Sequence, residues 1–231
     1  YLSVARQLSR EEDWRDRRAI SLDLHLESAE SAFQTAQYAA SLALLDRLET
    51  RSLGLLERAR VAVKRIQVLA LTKHPEECSR YALALLREFG LRWPLHPSRL
   101  RIWSNLLITE WRLRGGRESR VTTPTTGMPE EWVARLILLE PSGGAMSRSD
   151  ARLPVLSCCL ALRYFLRRGY LGSPAHAFTA YALFALPWWN AKRSLHFGRS
   201  ALEWVERIPH AARGLRIEMQ IHALVYPWFM P

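Results

Sequence analysis

The chain has 231 residues, 48% of them apolar, and carries 33 Lys and Arg against 22 Asp and Glu for a net charge of +11. This is enough apolar material for a sizeable core, while no run nears the ~20 apolar residues that a membrane span needs. Three cysteines, Cys78, Cys158 and Cys159, all in apolar helical contexts, argue against a disulfide framework and for free thiols in a reducing, cytoplasmic compartment; nor does any Cys, His and acidic spacing match a zinc site.

Taken in order, Ser9-Arg10-Glu11-Glu12 reads as a capping box. It predicts one helix running past Trp14 to Gln34, with Leu22, Leu26, Ala29 and Phe33 as its apolar stripe. A polar turn, Thr35-Ala36-Gln37, leads into a partner helix over residues 38–49. The pattern then repeats: a helix over 53–71, the turn Thr72-Lys73-His74, and a helix over 75–89 opened by Pro75 at a position where its missing N–H costs nothing. Residues 38–45 align with 75–82 at an offset of 37, a period typical of stacked helical hairpins. Ser41 and Cys78 fall at the same place in the two copies, where a neighbouring helix must come close.

Gly90 reads as the residue just past a helix end. The prolines Pro94 and Pro97 hold residues 91–97 extended. Ser98 then caps a helix to about Arg114, stopped by Gly115-Gly116. Residues 117–128 are a polar loop rich in Thr and Pro. Pro129-Glu130-Glu131 opens a helix to about Glu140, and Pro141-Ser142-Gly143-Gly144 is expected to break it. Another helix covers 150–168. Ser173-Pro174 starts a third hairpin, 174–186 and 191–207, in which Ala182 and Ser194 take the places of Ala29 and Ser41. A last helix is expected near 211–226, before Pro227. No stretch alternates with a period of two, so no sheet is expected. The fold class is therefore all-α, an α-α superhelix of hairpins in one continuous array. Its blocks are 1–116, the loop 117–128, and 129–231. A start at Tyr1 and a stop after Met230-Pro231 read as a piece of a longer polypeptide.

Several features carry a resemblance to divergent tetratricopeptide-type repeats. They are Trp14 ahead of Leu24-His25-Leu26, the hairpin around Gln37-Tyr38, the run from Gly90 to Ser98, and Gly172-Ser173-Pro174-Ala175-His176-Ala177-Phe178 with Tyr181-Ala182-Leu183. The chain is similar to the helical arm of large bacterial signalling proteins. In those, an AAA/STAND ATPase is followed by such repeats and often by a sensor histidine kinase, sometimes with a serine/threonine kinase in front. The resemblance implies a regulatory, non-enzymatic arm. The family's turn glycines are replaced here by Ala36 and Lys73.

No residue pattern supports catalysis. His25, His176, His196 and His222 sit in predicted helices without an i,i+4 partner; Gly143-Gly144 and Gly115-Gly116 lack the phosphate-loop context. Ser and Cys have no evident base, so no cofactor or metal is expected. The nine tryptophans read as wedges between helices, the alternative being an aromatic ligand pocket at Trp188-Trp189 with Phe178 and Tyr181. Residues 1–60 carry 9 basic and 10 acidic residues, so the basic excess lies wholly after them, scattered at helical spacing as on solvated faces. Nucleic-acid binding through that half is the third reading, behind a partner-binding regulatory arm and a sensor for a small molecule or peptide. The expected working surface lies on the first helices of the hairpins, at Asp23 and Glu30, Arg60 and Gln67, and His176 and Leu183. Acid on the first copy and base on the later ones would read a dipolar peptide.

Overall fold

The computed structural model describes residues 11–114, 129–168, 175–185 and 191–206. The expectations placed on Ser9, the 117–128 loop, Trp188-Trp189 and the helix near 211–226 lie outside the described residues. Within them every regular element is a helix. In chain order these are α1 (Glu11–Asp16), α2 (Arg18–Gln34), α3 (Tyr38–Glu49), α4 (Leu55–Thr72), α5 (Pro75–Glu88), α6 (Arg99–Leu113), α7 (Glu130–Met146), α8 (Arg152–Arg168), α9 (Ala175–Ala185) and α10 (Ala191–Glu206). No helix among the described residues is long and apolar enough to cross a membrane.

Two helix ends show why the chain turns where it does. After α2, the Ala36 N–H donates to the Phe33 carbonyl and the Gln37 N–H to that of Ala32, a closure that requires the left-handed conformation found at Ala36, φ +60°. After α5 the same pair of bonds recurs, Gly90 N–H to Arg87 O and Leu91 N–H to Leu86 O, with Gly90 at φ +83°. Arg135 of α7 then reaches back and donates from Nε to the Phe89 carbonyl at 2.6 Å. The first helix expected from the sequence is broken at Arg17 (φ −133°, ψ 44°). Trp14 explains the break, because its ring meets that of His25 at 5.2 Å. In one straight helix those residues would stand roughly 16 Å apart along the axis.

The hairpin contacts follow the small residues. Ser41 Oγ donates to the Ala29 carbonyl at 2.8 Å and Ser194 Oγ to the Ala182 carbonyl, each across 12 residues of chain. Cys78 and Ile66, at the matching places of the second copy, are both buried in one cluster. A further clasp was not foreseen: Ser157 Oγ donates to the Leu139 carbonyl at 2.6 Å. It joins α7 to α8, and Ser157 precedes Ser194 by the same 37 residues that separate Ser41 from Cys78.

This hairpin exists because α7 does not stop at Pro141. An interior proline costs about 3 kcal/mol. Yet Ser142, Gly143, Ala145 and Met146 are buried in the continued helix, and burying one Met-sized side chain alone returns about 1.5–3 kcal/mol. Gly143 makes the approach possible, since a Cβ there would stand 3.1 Å from Ser157 Oγ and 3.2 Å from its Cβ.

Polar links between helices give their directions. Arg18 pairs with Glu57, Asp23 with Arg60 and Glu30 with Lys64, so numbers rise together and α2 runs parallel to α4. Glu130 accepts from the Leu56 N–H and Arg148 donates to the Ala70 carbonyl, so α4 runs parallel to α7. Three cores fill the gaps. Leu22, Leu26, Ala29, Leu45 and Leu48 pack with Val61 and Val68 of α4; Ala59, Ala62 and Ile66 of α4 pack with α5, α7 and part of α8; and α6, α8, α9 and α10 enclose the third. Helix α4 thus serves two cores at once.

Candidate interaction surface

Two of the expected groove residues, Asp23 and Arg60, are engaged with each other, and a third, Glu30, with a neighbour on α4. Asp23 Oδ1 accepts from Arg60 Nη2 at 2.7 Å, and Glu30 pairs with Lys64. Acid and base here neutralise each other across α2 and α4, in place of the free dipolar track expected from the sequence. Gln67 is exposed on the same helix, Leu183 is half-buried, and the His176 side chain lies outside the described residues. Phe178 and Tyr181 are fully buried, corrected from pocket lining to core: Phe178 meets Phe165 edge-on at 5.7 Å, and Tyr181 meets Phe197 at 4.7 Å. Their aromatic bulk packs α8, α9 and α10 together. Between the end of α3, α4 and α5, a cleft of about 480 Å³ opens beside Glu49, Arg58, Tyr81 and Glu88. Burial and nearby carboxylates push the Tyr81 phenol well above its ordinary value.

The tryptophans divide. Trp14, Trp93 and Trp132 pack against the cores, with Trp132 edge-on to Tyr164 at 4.4 Å. Trp103 and Trp111 stand instead on the outside of α6.

That helix is apolar on both sides. Ser98 starts it, accepting from the Arg101 N–H at 3.3 Å. Its inner face, Ile102, Leu106 and Leu113, enters the third core. Glu110, its one acid, is buried and accepts from the Tyr181 hydroxyl at 3.1 Å. The outer face carries Leu100 (80% exposed), Trp103 (39%), Leu107 (57%), Ile108 (42%) and Trp111 (68%). Spacings of three and four place Leu100, Trp103, Leu107 and Trp111 along one stripe. Arg99, Arg101 and Arg114 stand beside it. Contiguous apolar patches on this scale mark interaction sites more often than accident. The sequence signal was available: α6 has too many apolar positions for a helix with one buried side.

The three cysteines are buried free thiols, and burial raises the proton affinity of Cys78 and Cys158. They are unreactive packing groups in this setting. Comparisons with models of protein families, with curated proteins and with solved structures found no match.

Proposed function

We propose that this chain is a non-enzymatic protein-interaction arm, a tetratricopeptide-like superhelix that couples a switch domain to an output domain of a multidomain signalling ATPase. Support for the repeat reading comes from the parallel course of α2, α4 and α7 and from the serine clasps at matching places. The outer stripe of α6 carries the interaction reading. Its partner is an amphipathic polypeptide helix with an apolar face bordered by Asp and Glu. Charge complementarity selects that chemistry, because the stripe is edged by arginines and its only carboxylate is turned into the core. Helix-in-groove and helix-on-helix docking both read i, i+3, i+7 anchors of this kind.

The experiment places a photo-crosslinking amino acid at Leu107 in the parent polypeptide. The expected product joins α6 to an acidic amphipathic helix, and Leu107→Glu abolishes both the cross-link and the regulation of output. A variant with normal regulation, or a chain that floats with anionic vesicles and loses this with Leu107→Glu, would overturn the reading in favour of a bystander or a lipid-binding surface.

A further inference from the structure

Helices α6 and α8 pack side by side, and the seam between them gathers positive charge without an opposing acid among the described residues. Asn105 and Arg112 lie seven residues apart on one flank of α6, two turns along the same side. Arg163 and Arg167 stand one turn apart on α8. The Arg163 side chain is half-buried, its Nη2 donating to Asn105 Oδ1 at 2.7 Å. Its Nε is buried with no hydrogen-bond partner among the described residues. Burial, and then the neighbouring Arg167, an exposed side chain, lower the proton affinity of Arg112. Burial likewise lowers that of Arg163; Cys159 and Tyr164 oppose this, and Arg112 and Arg167 add to it. Helix α8 contains no Asp or Glu at all. Among the described residues no carboxylate pairs with any of the three arginines.

Assembling three guanidinium groups this way is unfavourable unless something negative completes the set. A guanidinium presents a planar fork of donors matched to two oxygens of one oxyanion. The buried Nε is such a donor left open, and Asn105 fixes the orientation of the fork that carries it. We propose that the α6–α8 seam is a binding site for a phosphoryl oxyanion, with Arg112, Arg163 and Arg167 as its ligands and Asn105 as the positioning residue. The anion replaces mutual repulsion by charge-assisted hydrogen bonds. The site lies in the seam rather than on the outer stripe, and therefore stands apart from the docking reading.

The test titrates the 231-residue chain with inorganic phosphate, pyrophosphate and O-phosphoserine, using calorimetry and thermal melting at constant ionic strength set with sodium chloride. The expected result is saturable one-site binding and a Tm that climbs with ligand concentration. Tighter binding of pyrophosphate assigns the seam to a small diphosphate, and tighter binding of O-phosphoserine to a phosphorylated side chain. The double variant Arg112→Gln/Arg167→Gln should lose at least about tenfold in affinity. In phosphate-free chloride the same variant should melt at or above the parent, since its repulsion is relieved; this shows that it folds. Arg199→Gln, an exposed charge on α10, should bind as the parent does. Equal Tm shifts from added sodium chloride, or an undiminished response in the double variant, would overturn the site. Leu107→Glu with the phosphate response intact separates failure of docking from failure of the seam.

Discussion

Ala36 holds a conformation that L-residues other than glycine rarely adopt, and it does so to close the turn from α2 into α3. The left-handed region costs a residue with a Cβ about 1–2 kcal/mol, against a smaller entropic cost for glycine. Ala36→Gly should therefore stabilise the chain, by up to about 1 kcal/mol. Lys73, the other position where the resembling family keeps glycine, sits in extended geometry at φ −113°, and Lys73→Gly should bring no gain. Paired melts of the two variants check this. Ala29 and Ala182 pose the opposite test, since each is buried under a serine hydroxyl. Ala29→Leu and Ala182→Leu should each cost about 1–3 kcal/mol, read as a lowered Tm. Asp150 supplies a pH dependence. Burial alone would raise its carboxyl pKa, but hydrogen bonds from Arg152 and His96 outweigh this and hold it below the ordinary value. Such a group adds stability that is fully present above the unfolded pKa, ~3.9, and is lost as pH falls through the folded value. Asp150→Asn should melt below the parent near neutrality, and the two should converge below about pH 4.

Element boundaries were legible where local chemistry decides them. The helix expected near 38–49 is found at Tyr38–Glu49, Pro75 and Ser98 open their helices, and Gly90 closes α5. They were not legible where tertiary packing overrules local preference. Pro141 and two glycines look like a stop in any sequence, and only the burial of Met146 and its neighbours against α5 and α8 carries α7 through them. Arg17 gives no composition signal for its break, which follows from the side-on contact of Trp14. The two glycines of α7 separate the effects. Gly144→Ala has nothing within 4 Å of the added Cβ and should gain up to about 1 kcal/mol from helix propensity. Gly143→Ala gains the same propensity but drives its Cβ against Ser157, which is tied to the Leu139 carbonyl. It should melt below the parent, and below Gly144→Ala by a wider margin.

Across the whole molecule, the all-helical class came from helical periodicity without any two-residue alternation, and the hairpin contacts from recurring small residues, which report helix approach directly. The surface did not come with them. Exposed charges such as Asp23 and Arg60 look alike in a sequence whether they meet solvent or each other, and only the parallel run of α2 and α4 makes them partners. A half-exposed pair of this type contributes about 0–1 kcal/mol, so it sets register more than stability. The seam arginines were hidden for the same reason, being spread over two helices about fifty residues apart in the chain.

Helix α4 buries one side against α2 and α3, but its other side is completed chiefly by α7, which ends about seventy residues further along. During synthesis the first hairpin and α4 therefore leave the ribosome with an apolar flank still bare. At about 5–20 residues per second, several seconds pass before Met146 emerges to cover it. Residues 91–128 occupy about half of that interval. Their length sets a delay during which Ala59, Ala62 and Ile66 are open to a chaperone or to a wrong neighbour. Shortening this stretch would quicken closure, and slow codons within it would prolong the exposure.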